Sequence, residues 1–200
     1  PAGELGLGEL VGEREHVAPC GGAVVAAGVG QLVGDLGGAA LAQQVEHALP
    51  EAEAQAFVCG VRSPEPLLRI PKSGLVSLYP LQGDPDGVLV VNLHAVNFEL
   101  GMATFREQLN DLTALIHRHQ GPVILGGDFN TWSDKREFWL NKLVGELGLQ
   151  EAIPVPDLRR TAFGRPLDHL YYRNLDLVEV SSPATDASDH NPIMARFAAQ

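Results

Sequence analysis

An acid and an amide two residues apart, Asp128 and Asn130, close the apolar run Pro122-Val123-Ile124-Leu125-Gly126-Gly127. A carboxylate that can take a proton from water, beside an amide that can hold that water or a phosphate oxygen, makes a nucleophile station. In extended backbone this spacing points both side chains to one face. The competing reading is a loop in which the two side chains satisfy turn backbone. About sixty residues on, Ser188-Asp189-His190-Asn191-Pro192 joins a metal-type ligand to a side chain that titrates near neutrality. Asp168 sits inside the otherwise apolar stretch 167–172, where a buried carboxylate needs a partner. The imidazole of His190 would serve, and Arg165 or Arg173 are the alternatives. The types and their order suggest metal-assisted phosphoester chemistry.

Two further groups are weaker signals. His94 ends the apolar stretch 88–94 on the same face as Asn92, and a lone strand histidine reads first as structural. Residues 158–173 carry Arg159, Arg160, Arg165 and Arg173 against Asp168 alone, the one locally basic stretch of the chain. Arg160 and Arg165 could grip a phosphate substrate, or simply lie on a solvated loop. His117, Arg118 and His119 close a helix, where cations complement the dipole, and take no catalytic role.

The elements that must position these groups follow from periodicity. Strands are expected at 57–61, 75–81 and 88–94, with a turn at Asp84-Pro85-Asp86-Gly87. Phe105, Leu109, Leu112 and Ile116 make an amphipathic stripe over 102–119, which Gly121-Pro122 stops. A strand at 122–125 and a helix at 134–147, capped by Ser133 or Asp134, come next. Strands at 167–172, 175–180 and 193–197 finish the chain. Strands and helices mix without strict alternation, so packed sheets with flanking helices are expected.

Composition limits the partners. With a net charge of −11, the chain is a poor general coater of nucleic acid, because that binding draws on Lys and Arg. Phosphate substrates stay open, since a bound divalent cation reverses the local sign. Cys20 and Cys59 form no CxxC pair and read as buried thiols. No membrane span and no signal peptide are visible, and a cytoplasmic setting is expected.

The chain divides near residue 57. Residues 1–56 hold eleven Gly and twelve Ala, and no Phe, Trp, Tyr, Ile, Ser, Thr, Asn or Lys. They read either as a flexible acidic segment or as sequence foreign to the domain, such as GC-rich DNA translated out of frame. Residues 57–200 read as the domain proper.

His94, Gly127-Asp128-Phe129-Asn130, Leu167-Asp168-His169-Leu170 and Ser188-Asp189-His190-Asn191-Pro192, in that order, resemble the endonuclease/exonuclease/phosphatase superfamily, in a poorly characterised bacterial branch. The resemblance implies a four-layer α-β-β-α sandwich, the DNase I-like fold, and a hydrolase using Mg²⁺ or Mn²⁺ on a phosphoester: nucleic acid, inositol phosphate or lipid headgroup. It implies that Asp128 activates water and Asn130 holds it or the phosphate. His190 would bind the phosphoryl group, oriented by Asp168, with His94 touching the phosphate and Asp189 at the metal. One departure stands out. The family's early asparagine and Gln-Glu pair have no counterpart in residues 1–56, so a non-catalytic remnant that binds phosphate is the second reading.

Overall fold

The computed structural model describes residues 25–27, 55–57, 63–64, 71–72, 74–99 and 101–200. The atypical segment 1–56 therefore lies outside the described residues, apart from two short stretches. The early elements are β1 (Val25–Ala27), β2 (Gln55–Phe57), β3 (Ser63–Pro64), β4 (Pro71–Lys72), β5 (Gly74–Leu81) and β6 (Asp84–His94). Helix α1 (Ala103–Ile116), β7 (Val123–Asp128), α2 (Asp134–Glu146) and β8 (Gln150–Glu151) follow. The chain ends with β9 (Thr161–Ala162), β10 (Arg165–Pro166), β11 (Asp168–Arg173), β12 (Leu175–Ser181) and β13 (Ile193–Ala199).

A six-stranded sheet runs β2-β5-β6-β7-β11-β8, and a three-stranded sheet runs β1-β13-β12. Among the described residues only β6 and β7 pair in parallel, and α1 makes the crossover between them. Two apolar clusters follow from strand alternation. On one face of the large sheet, Leu89, Val91, Leu93, Val123, Leu125 and Tyr171 meet Phe105, Leu109, Leu112, Ile116, Leu140 and Leu143 of the helices. On the other, Val88, Ile124 and Leu170 meet Leu175, Ile193 and Ala195 of the small sheet. Each fully buried leucine in such a core contributes roughly 1.5–3 kcal/mol. Among the described residues the layers are thus helices, sheet and sheet. An outer layer on the small sheet, as expected for a four-layer sandwich, lies outside them.

The amphipathic stripe of α1 is the one read from sequence, but the helix ends at Ile116, with His117 as its C-cap. Its N-terminus is closed by Glu99, whose carboxylate accepts from Thr104 N at 2.6 Å and Phe105 N at 3.1 Å. That satisfies two of the amides a helix start leaves open. Helix α2 starts after Ser133, whose side chain makes no capping bond.

Two expectations are corrected. The turn expected at Asp84-Pro85-Asp86-Gly87 lies inside β6, and the chain reverses at Gln82-Gly83, flanked by the pair Leu81 and Asp84. The local turn chemistry is nevertheless there. Asp86 N donates to Asp84 Oδ1 at 2.8 Å, and Gly87 has φ +68 where a Cβ would meet Tyr79 O at 2.5 Å. A bulge absorbs these features without turning the chain. The strand expected at 122–125 extends to Asp128, because Gly126 and Gly127 stay in the ladder between β6 and β11.

Candidate active site

Three strands bring the polar groups into one row. Asp128 is in register with His94 across the parallel β6–β7 pair and with Asp168 across the antiparallel β7–β11 pair. In each strand these positions share the parity of Ile124, Leu170 and Val88, so the row lies on the face toward the small sheet. The residues after β6 and β7 are tied down: Ala95 N donates to Asp128 O at 2.8 Å, and Phe129 N to Leu167 O at 2.9 Å. His190 arrives from the loop between β12 and β13. Asn191 anchors that loop, accepting from Thr185 N at 3.0 Å and donating to Leu158 O.

Asn130 departs from the extended geometry that the two-residue spacing suggested. It has φ 50, and its N–H donates to Asp128 Oδ1 at 2.8 Å. The left-handed backbone turns the amide inward, where Nδ2 donates to Ala95 O at 3.0 Å. Its Oδ1 is the atom left to meet a ligand. Both residues are buried, Asn130 at 2% and Asp128 at 6% exposure.

His190 Nδ1 donates to Asp168 Oδ2 at 2.7 Å. Asp168 is 1% exposed, and its other oxygen, Oδ1, is buried without a hydrogen-bond partner. An unmade bond of this kind costs about 1–3 kcal/mol. Burial pushes the Asp168 carboxyl up, against the opposing pull of His190. Burial, and then the charge of Asp168, push Asp128 up as well. The hydrogen bond to Asp168 raises His190, more than its burial lowers it. One ligand atom each from Asp128, Asp168 and His190 lies within 4.8 Å of the others. Two crowded carboxylates, one with a bare oxygen, and an imidazole fit a small oxygen-preferring dication.

The remaining expected residues lie apart from this row or at its edge. His94 Nε2 stands 3.6 Å from Asp128 Oδ2. Asp189 is exposed, with Ser188 Oγ at 3.4 Å, and falls outside the three-residue cluster. Arg165 is held by Asp134 and, at 3.2 Å, by Glu137, both in the first turn of α2. Arg160 is exposed. Arg173 donates to the carbonyls of Leu147, Ile116 and His119, so neither Arg165 nor Arg173 is the partner of Asp168.

Behind the row lies a network that sequence did not single out. Arg159 donates to Asp168 O at 3.1 Å, to Glu151 Oε1 at 2.7 Å and to Asp157 Oδ2 at 2.7 Å. His169 Nδ1 donates to the same Glu151 oxygen at 2.8 Å. Thr131 Oγ1 donates to Pro166 O at 2.6 Å and lies 2.8 Å from His169 Nε2. The network fastens the residue after Asn130 to the strand that carries Asp168. Arg136, 1% exposed, does the same for the loop after β6, donating to Val96 O and Asn97 O at 2.7 Å each. No spacing rule reveals such contacts, because their partners are backbone carbonyls and side chains from other elements. A cleft lined by Gln82, Pro122, Asn174 and Gln200 lies at the opposite end of these strands and holds none of the row.

A packed pair of sheets with acids and imidazoles at the strand ends is the architecture of DNase I-like phosphoester hydrolases. The model of the endonuclease/exonuclease/phosphatase family matches residues 15–190, and the chain belongs to that family. Among curated relatives, UPF0294 protein VV2535 of Vibrio vulnificus (strain YJ016) is 48% identical over 143 residues, 70% of this chain and 50% of that protein. A UPF0294 protein of Erwinia tasmaniensis is 47% identical over 141 residues, 70% of this chain and 52% of that protein. The chain thus spans about half the length of the curated relatives it matches. Among solved structures, an endonuclease/exonuclease/phosphatase from Bacteroides vulgatus aligns with TM-score 0.54 at 13% identity, over 74% of this chain and 65% of that one. ANGEL2, a 2′,3′-cyclic phosphatase, aligns with TM-score 0.51 at 16% identity, over 74% and 67%. At these identities the structural matches establish the fold.

Proposed function

We propose that this chain is a divalent-metal-dependent phosphoester hydrolase: a phosphodiesterase, nuclease or phosphatase. The observation that carries the reading is the in-register row His94, Asp128 and Asp168, with His190 bonded to Asp168 at 2.7 Å. Asp128 takes the proton of the attacking water as a general base. Asn130 orients the water or a phosphoryl oxygen through Oδ1. Asp168 fixes the ring of His190 through Nδ1, which directs Nε2 toward the phosphoryl group, and His94 flanks the same group. Asp168, through its bare Oδ1, and Asp128 would hold the cation, Mg²⁺ or Mn²⁺, with Asp189 as a further ligand from the rim. When bound, such an ion offsets negative charge on the phosphoryl oxygens.

The acidic chain, at −11, favours a small or lipid phosphoester over long duplex DNA. Asp128→Asn keeps the shape and removes the base. With bis(p-nitrophenyl) phosphate and Mn²⁺, it should lower kcat by about 10²–10⁴-fold and leave KM nearly unchanged. Unchanged kcat would remove Asp128 from the chemistry. The exposure of Asp189 favours a second reading, a phosphate-binding module without turnover. Phosphate binding with no metal-dependent hydrolysis in the unsubstituted chain would establish it.

A further inference from the structure

The β9–β10 hairpin closes on a turn that its sequence does not suit. Ala162 pairs with Arg165, which leaves Phe163 and Gly164 as a two-residue loop, with φ 52 and 79. Two successive positive φ angles make a turn that favours Asn-Gly, and a bulky aromatic residue is an outlier there. The ring gains little from the fold: it is 83% exposed, with an edge-on contact to Trp132 at 6.4 Å. The hairpin is nonetheless held against α2, because Arg165 pairs with Asp134 and Glu137. Backbone strain and an apolar ring in water both lower stability, so the fold does not account for Phe163.

Phe163 has company at this end of the sheet. Glu151 pairs with Tyr171 and Ala152 N donates to Leu170 O, so the chain past β8 runs toward the start of β11. There it carries Val155, 88% exposed, and the exposed Leu158, whose carbonyl accepts from Asn191 beside His190. Phe98 is exposed on the loop that follows His94. Trp132 follows Asn130 by two residues, with Nε1 donating to Asn97 Oδ1 at 2.9 Å and the Arg136 guanidinium over its ring. Three loops and a hairpin thus set apolar side chains around the row. Groups that stand out singly from separate loops do not make the packed patch that a folded protein partner needs. They suit a soft medium, where each wedges between headgroups toward the acyl boundary. A nucleoside would use one or two of the rings and leave Val155 and Leu158 without a part.

We propose that these loops seat on the surface of a zwitterionic phospholipid bilayer, with Phe163 and Val155 entering among the headgroups, so that a phospholipid presents its phosphoester to the row. The net charge of −11 opposes an anionic surface. Docking stands on the exposed side chains alone, and only cleavage of the headgroup rests on the hydrolase reading.

Sedimentation with phosphatidylcholine vesicles, without added metal, compares the full chain, Phe163→Asn, and Phe163→Asn with Val155→Ser added. Asparagine is the residue the turn favours, so Phe163→Asn should keep the urea midpoint of the full chain or raise it. Its partitioning onto vesicles should fall about 10-fold, and that of the double variant further. No vesicle binding by the unsubstituted chain, equal partitioning in Phe163→Asn, or a lowered urea midpoint would overturn the proposal. Adenosine monophosphate bound by the full chain and weakened in Phe163→Asn, without vesicle binding, would give the rim to a nucleotide instead. Vesicle binding with no hydrolysis of bis(p-nitrophenyl) phosphate would sink the hydrolase reading and leave the docking surface standing. Diester hydrolysis without vesicle binding would do the reverse.

Discussion

Asp168 bonds His190 through one oxygen and leaves the other bare in the interior, so its charge acts on the imidazole and on any cation beside it. Asp168→Asn keeps an acceptor for the His190 N–H and removes the charge. The raised proton affinity of His190 comes first from that bond, so the substitution should bring its titration down toward or below the ordinary 6.5. Ring-proton shifts followed by NMR against pH would measure it, and an unmoved titration would show that Asp168 does not govern His190. The sign for stability follows. A proton held more tightly in the fold contributes stability that is fully present below pH 6.5 and lost as pH rises through the folded value. Asp168→Asn should flatten that slope. Asp168 was legible in the sequence because a carboxylate among apolar residues demands a partner.

The elements hold the row through one glycine in particular. Gly127 has φ +148, and a Cβ there would lie 1.9 Å from Leu93 O. Backbone of β6 therefore presses against β7 one residue before Asp128. Gly127→Ala should cost about 3 kcal/mol or more, overlap adding to a strained dihedral. Urea denaturation measures this, and a change within about 0.5 kcal/mol would mean the strands do not approach so closely. The glycine pair was visible as the end of an apolar run, but its place inside the ladder was not. The same limit explains the misplaced turn: Asp84 to Gly87 has turn chemistry that a bulge consumes. The helix stripes were easier, because Phe105, Leu109, Leu112 and Ile116 repeat the period and all are buried. Strand alternation also put Asn92 and His94 on one face. It failed for Asn130, whose left-handed backbone no alternation rule covers.

At the scale of the molecule, the helices back the large sheet, and the small sheet covers its other face below the row. Motif order alone was enough to point to the family, because Asp128, Asp168 and His190 sit at strand ends and in a loop that the fold brings together. Their supports, Arg136 and the Arg159–Glu151–His169 network, were hidden, since they bind backbone or one another across long sequence separations. None of the described helices is long and apolar enough to cross a membrane. The measurement that tests the whole arrangement is hydrolysis of bis(p-nitrophenyl) phosphate by the full chain with Mn²⁺, with EDTA, and with His190→Ala. We expect turnover that EDTA abolishes and that His190→Ala lowers by about 10²–10⁴-fold. Equal turnover in His190→Ala, or no turnover by a demonstrably folded chain, would contradict the assignment of this row as a hydrolytic site.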